Sequence, residues 1–131
     1  MDRTDGLRAP IQQIAAVHPE VRAVYLFGSQ AARRPRSDSD IDLGVLYRTR
    51  QTLDTTLHLE QAFEQALGKK VDLVDVARAR AFLALDIVRG ERVFCDEQSE
   101  ADRFELYVLR RAGDLLPFER QRQAMLLTPS R

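Results

Sequence analysis

Residues 21–46 read VRAVYLFGSQAARRPRSDSDIDLGVL, and this stretch decides the architecture. The run VRAVYLF, 21–27, is rich in β-branched and aromatic types and predicts a strand that is partly or wholly buried. Residues 40–46, DIDLGVL, predict a second strand. Between them the chain turns at Gly28-Ser29, passes through QAARR, which suits a short helix, and reaches Pro35, which would end it. Aspartate is a poor strand former, so Asp40 and Asp42 beside Ile41 and Leu43 need a chemical reason.

On the N-terminal side, Leu7, Ile11, Ile14, Ala15 and His18 recur at helical spacing and predict an amphipathic helix ending near the His18-Pro19 step. On the C-terminal side, Leu53, Leu57, Phe63, Ala66 and Leu67 predict a helix over 51–67 that stops at Gly68. KVDLVDV, 70–76, alternates as a third strand, a helix over 77–89 is closed by Gly90, and ERVFCD suits a short edge strand. From Ser99 the pattern is helical, with Phe104, Tyr107, Val108 and Leu115 on one stripe until Pro117 kinks or restarts the helix. No repeat, low-complexity tract or linker interrupts the chain. The expectation is a single unit over 1–131, with a core of about 1–97 and C-terminal helices over about 99–127. Its class is α/β (α+β): a small mixed sheet flanked by helices.

Composition narrows the function. The 131 residues hold 20 Lys plus Arg and 20 Asp plus Glu, so no overall charge pulls the protein toward nucleic acid or membrane, and direct nucleic-acid binding is not expected. Cys95 is the single cysteine, which excludes an internal disulfide and suits a reducing compartment. The N-terminal stretch lacks the uninterrupted apolar core of a signal peptide and no apolar run is long enough to span a membrane, so a cytoplasmic location is expected.

Side chains at i and i+2 of a strand share a face, so Asp40 and Asp42 are aimed at one spot. Two converging carboxylates repel unless a cation sits between them, and hard oxygen donors favour Mg²⁺, with Mn²⁺ as the substitute. On the third strand Asp72 and Asp75 fall on opposite faces; Asp72 is chosen as the third carboxylate and Asp75 as the N-cap of the following helix. Three such groups could hold two ions about 3.5 to 4 Å apart, the arrangement that clamps attacking and leaving oxygens in phosphoryl transfer. Gly28 permits close backbone approach, Ser29 offers a hydroxyl, and free N–H groups at the start of a helix attract an anion.

Gly28-Ser29, ten residues, Asp40-Ile41-Asp42, then Asp72 within VDLV resembles the signature of the DNA polymerase β superfamily of nucleotidyltransferases. With its short length, the chain is similar to the minimal nucleotidyltransferase (MNT) antitoxins paired with HEPN-domain ribonuclease toxins, from about Val21 to the C-terminal helices. The resemblance implies a polymerase β-like fold and transfer of AMP from ATP to a tyrosine of the partner toxin, with Mg²⁺ required. It implies metal and triphosphate on Asp40 and Asp42, activation of the attacking hydroxyl by Asp72, and phosphate oxygens on Gly28 and Ser29. Many relatives carry a glycine where this chain has Arg33, a change that narrows the pocket or alters phosphate contacts.

Simpler roles exist for each residue. Asp40 and Asp42 could be solvated at a strand entrance, Ser29 a helix cap, Asp72 a surface residue, and Arg33, Arg34 and Arg36 a solvated loop in place of a triphosphate or partner contact. His18 and His58 read as surface or helix-end residues, Tyr25 and Phe27 as core, and Cys95 as a small buried or edge residue. Two further functions stand beside this one: an antitoxin that masks its toxin by binding alone through the helical C-terminal third, and a nucleotidyltransferase that uses the same carboxylates on a small molecule of the aminoglycoside type.

Overall fold

The computed structural model describes residues 3–28 and 40–127. Among them four strands form one sheet in the order β3-β2-β1-β4. β1 (Val21–Phe27) pairs antiparallel with both β2 (Ile41–Tyr47) and β4 (Glu91–Cys95), whereas β2 and β3 (Val71–Asp75) are parallel. Parallel neighbours need a long crossover, and α2 (Leu53–Leu67) provides it. The four strands match the expected runs to within a residue at each end. The QAARR segment expected to be helical lies outside the described residues, as do Ser29 and Arg33.

Helices cover both faces. Ile11 and Ala15 of α1 (Arg3–Ala16) and Leu59 and Phe63 of α2 pack against Val24, Leu26, Leu43, Val45 and Leu73. On the other face, Ala84 and Ile87 of α3 (Ala81–Val88) and Ala101 and Val108 of α4 (Gln98–Leu127) pack against Ala23, Tyr25, Phe27 and Leu46. β1 is therefore buried on both faces, which explains its unbroken apolar run.

The apolar stripes needed correction. In α2, Leu53 is 66% exposed and Leu57 and Ala66 also face outward; the buried positions are Thr56, Leu59 and Phe63. Thr56 takes a core position because its hydroxyl and that of Tyr47 hydrogen-bond at 2.9 Å, so a polar residue is satisfied where the pattern favoured a leucine. The Gly68 stop of α2 holds as read: at φ +67° it donates its N–H to the Glu64 carbonyl, while the helix begins at Leu53 rather than 51, capped by Thr52, whose Oγ1 accepts from the Thr55 N–H. The helix expected over 77–89 is divided. A 3₁₀ turn at Val76–Arg78 comes first, Ala79 and Arg80 are extended, and α3 starts only at Ala81.

α4 runs through Pro117 without stopping, and of its expected stripe Val108 is buried, Phe104 half-buried, and Tyr107 and Leu115 exposed. The inward face is Ala101, Val108 and Ala112. Proline removes one rung of the helical hydrogen-bond ladder and its ring collides with the carbonyl four residues back. For Pro117 that residue is Gly113, and for Pro10 of α1 it is Gly6; neither glycine has a neighbour crowding its missing side chain. Glycine lets the affected peptide tilt away, so both helices continue.

Two ion-paired clusters tie the elements together. The Tyr25 hydroxyl donates to Glu105 Oε2 at 2.6 Å, and Arg92 bonds both Glu105, at 2.8 Å, and Asp102, at 2.9 Å, joining β1 and β4 to α4. Burial, with Glu105 alongside, pushes the Tyr25 hydroxyl far above its ordinary pKa, so it stays a donor. At the other end of the sheet Arg48 pairs with Asp96, and its Nε donates to the Pro19 carbonyl at 2.7 Å.

Gly44 of β2 faces α3, and a Cβ built there would overlap Ile87 Cγ2. Gly44→Ala is expected to lower stability by about 1–3 kcal/mol through overpacking, read as a lower midpoint in urea denaturation with an unchanged slope.

Candidate active site

Register assembles the acidic cluster. Phe27, the last residue of β1, lies opposite Asp42, and Asp42 is the parallel partner of Asp72. Register partners project on the same face, about 4.8 Å apart from strand to strand. Asp42 and Asp72 are thus side by side at the N-terminal ends of β2 and β3, on the sheet face that α3 and α4 cover elsewhere. Asp42 is half-buried, Asp72 exposed, and Asp40 exposed just ahead of β2.

Gly28 closes the cluster from the side of β1. Its φ is +74°, a conformation that L side chains rarely adopt. A Cβ built on it would overlap Asp42 Oδ2 and stand 3.1 Å from Asp42 Cγ. The glycine is needed twice over, for the left-handed turn and for the carboxylate lying against its Cα.

The Asp42 carboxyl is held above the usual carboxylate range, first by burial and then by the negative charges of Asp72 and Asp40. All three groups are therefore within electrostatic reach. As placed, no three His, Cys, Asp or Glu side chains among the described residues stand close enough to ring an ion. Charge acts across several ångströms, whereas ligation needs each oxygen about 2 Å from the cation. An all-oxygen, anionic donor set beside a backbone cradle fits a hard divalent cation.

Other candidates separate from the cluster. Asp75 caps the 3₁₀ turn, accepting from the Ala77 N–H at 3.3 Å, and sits 3.6 Å from Arg78 Nε. Burial raises its carboxyl, while the Ala77 N–H, Arg78 and Arg50 oppose the rise. With Tyr47, Arg48 and Arg50 it lines a cleft of about 330 Å³ at the C-terminal ends of β2 and β3, the opposite end from Asp42 and Asp72. His18 Nδ1 donates to the Ile14 carbonyl at 2.7 Å and finishes α1, and Cys95 is half-buried at the end of β4. Ser29 and Arg33, expected to bind the nucleotide, and Arg34 and Arg36, left between a triphosphate or partner contact and a solvated loop, lie outside the described residues. Sequence reasoning missed Gly44; a glycine inside a strand signals close approach of another element, here Ile87.

Comparison with known proteins gives a consistent picture. The family described as Polymerase beta, Nucleotidyltransferase matches residues 10–100. Protein adenylyltransferase MntA of Shewanella oneidensis is 31% identical over 111 residues, spanning 82% of this chain and 76% of that protein. Protein adenylyltransferase MntA of Thermococcus cleftensis is 32% identical over 69 residues, 53% of this chain and 70% of that one. A crystal structure of a toxin-antitoxin with AMP-PNP superposes with a TM-score of 0.72 at 26% identity, over 91% of this chain and 94% of that chain.

A carboxyl whose folded pKa exceeds its unfolded value binds more protons when folded. It therefore lowers stability as pH rises through those values, with the penalty complete at neutral pH and absent below both. Asp42 is such a group. In a chelator, Asp42→Asn is expected to melt above the unsubstituted chain at pH 7, with the gap closing toward pH 4. An Asn variant that melts lower at pH 7 contradicts the crowding described here.

Proposed function

This chain belongs to the polymerase β nucleotidyltransferase family, and on that footing we propose that it is a protein adenylyltransferase and antitoxin, transferring AMP from ATP to a tyrosine of a HEPN ribonuclease toxin. The observation that carries the reading is the pairing of Asp42 with Asp72 against the side-chain-free Gly28. The likeness to the two MntA adenylyltransferases supports the reaction, and the likeness to a toxin-antitoxin with AMP-PNP supports the nucleotide and the partner.

In this reading Asp40 and Asp42 hold the divalent cation, Mg²⁺ with Mn²⁺ as a substitute, and Gly28, Ser29 and Arg33 hold phosphate oxygens. Bound there, Mg²⁺ neutralises the triphosphate and the charge that builds on the departing pyrophosphate. The phenolic oxygen of the acceptor attacks the α-phosphorus in line. A new O–P bond forms, the bond from the α-phosphorus to the α,β-bridging oxygen breaks, and pyrophosphate leaves with that electron pair. Asp72 takes the phenolic proton and, being exposed, returns it to water. Asp42, fixed between Gly28 and Asp72, is the positioning centre, and catalysis comes mainly from alignment and charge neutralisation. Among the described residues no helix is long and apolar enough to cross a membrane. The cytoplasm, which supplies ATP and Mg²⁺, is the location we propose.

A second reading, neutralisation by binding alone, draws on Leu106, Tyr107 and Leu109, which are exposed along α4. One experiment separates the two. With HEPN toxin, ATP and Mg²⁺, the unsubstituted chain is expected to add AMP-sized increments to the toxin by intact mass, Asp42→Ala to add none, and Asp72→Asn to be slower by about 10²-fold or more. Transfer by Asp42→Ala at the unsubstituted rate overturns the assignment, and loss of toxin activity without any adduct favours masking.

A further inference from the structure

β3 is an outer strand of the sheet. The backbone N–H groups of Val71 and Leu73 nevertheless have partners. Glu64 Oε2 accepts from the Val71 N–H at 3.0 Å, and Glu60 Oε2 accepts from the Leu73 N–H at 2.9 Å. Both glutamates belong to α2 and stand four residues apart, about 6 Å along the helix axis. Two strand residues span about 6.6 Å. The repeat of the helix thus matches the repeat of outward N–H groups on the strand, and the order is reversed because α2 runs antiparallel to β3.

Asp72 lies between the two anchored N–H groups: the Leu73 N–H is in the peptide that follows it, and the Val71 N–H is one peptide further back. Holding both restrains the backbone ahead of and behind Asp72, and with it the direction of its side chain. Asp72 is the second residue of a five-residue outer strand, which neighbouring β2 holds on one side only. Carboxylates bind backbone N–H groups more strongly than neutral acceptors do. They also add two negative charges beside a strand that already carries Asp72, which is unfavourable unless their grip matters.

We infer that Glu60 and Glu64 are positioning residues for Asp72, a two-pronged clamp that stands in for a further strand and holds the proton acceptor at the orientation transfer requires. This rests on the role proposed for Asp72 above.

The test compares Glu60→Ala/Glu64→Ala with Glu60→Gln/Glu64→Gln, which keeps an acceptor oxygen at each position. Transfer to the HEPN toxin is followed by intact mass at saturating ATP and Mg²⁺, well below each variant's melting midpoint and scaled to folded protein. The Ala pair is expected to slow kcat about tenfold or more, with KM for ATP within twofold, and the Gln pair to recover the rate to within about threefold. Hydrogen exchange without metal or nucleotide gives a second readout: the Val71 and Leu73 amides exchange at least tenfold faster in the Ala pair and stay protected in the Gln pair. If the Ala pair does not fold, Glu64→Ala alone, with one bond left, is measured in the same way. Unchanged kcat per folded molecule, or a Gln pair as slow as the Ala pair, overturns the inference. Failure of the unsubstituted chain to modify the toxin overturns the proposed function instead, so the two failures are distinguishable.

Discussion

The parallel register of β2 and β3 sets Asp42 beside Asp72, and the surrounding structure is arranged around that convergence of like charge. Three carboxylates at one end of a sheet raise the energy of the folded chain in the absence of a cation, and the Asp42 carboxyl, raised first by burial and then by Asp72 and Asp40, carries part of that cost. The fold tolerates the repulsion because the apolar layers on both faces of β1 do not depend on those residues. Stability is supplied by the layers, and a strip of the sheet that contributes little to them is left for chemistry.

Glycine recurs wherever an element closes on the cluster. Gly28 brings the end of β1 onto Asp42, and Gly44 brings Ile87 of α3 down onto β2 two residues later. Gly90 follows the end of α3 as read, its N–H donating to the Ile87 carbonyl, but its φ lies outside the left-handed region and it also serves closeness: a Cβ there would overlap the Leu26 carbonyl oxygen and stand 3.0 Å from Phe27 Cβ. The corner between α3 and β4 is thereby pressed against the last turn of backbone before Gly28. At Gly44 and Gly90 a buried side chain or backbone occupies the space that a methyl group would take, so the constraint there is on atoms that cannot easily move, whereas at Gly28 it is the Asp42 carboxylate itself.

The legible parts of this protein were those set by local chemistry. The two strands flanking Gly28, the Thr52 to Gly68 helix, the cap at Asp75 and the Asp-x-Asp pair each follow from residue types within a few positions. What escaped was set by partners distant in sequence. Thr56 is buried because Tyr47 receives its hydroxyl, and this displaced Leu53 and Leu57 from the face that periodicity gave them. Tyr107 and Leu115 were placed inward because nothing in the helix itself reveals that Ala101, Val108 and Ala112 meet the sheet. Nothing in the local sequence singles out Glu60 and Glu64, since the N–H groups they accept from, those of Leu73 and Val71, line up beside α2 only once β3 has taken its edge position. Of the proposed site, Gly28, Asp40, Asp42 and Asp72 were all recognisable from spacing, and the register brings Asp42 together with Asp72 and Gly28.

The proline in α4 has a mechanical meaning. With no N–H at Pro117, the Gly113 carbonyl loses its rung, and bending resistance is lowest at that point of a 30-residue rod. Among the side chains described, the last buried one of this helix is Ala112, one position before Gly113. The weak joint therefore lies just past these buried residues, and the outer half of the rod is the part beyond it. A torque applied to the outer half is absorbed as bending at the joint before it strains the Tyr25–Glu105–Arg92 clasp, so the carboxylate end of the sheet is shielded from whatever pulls on the tip.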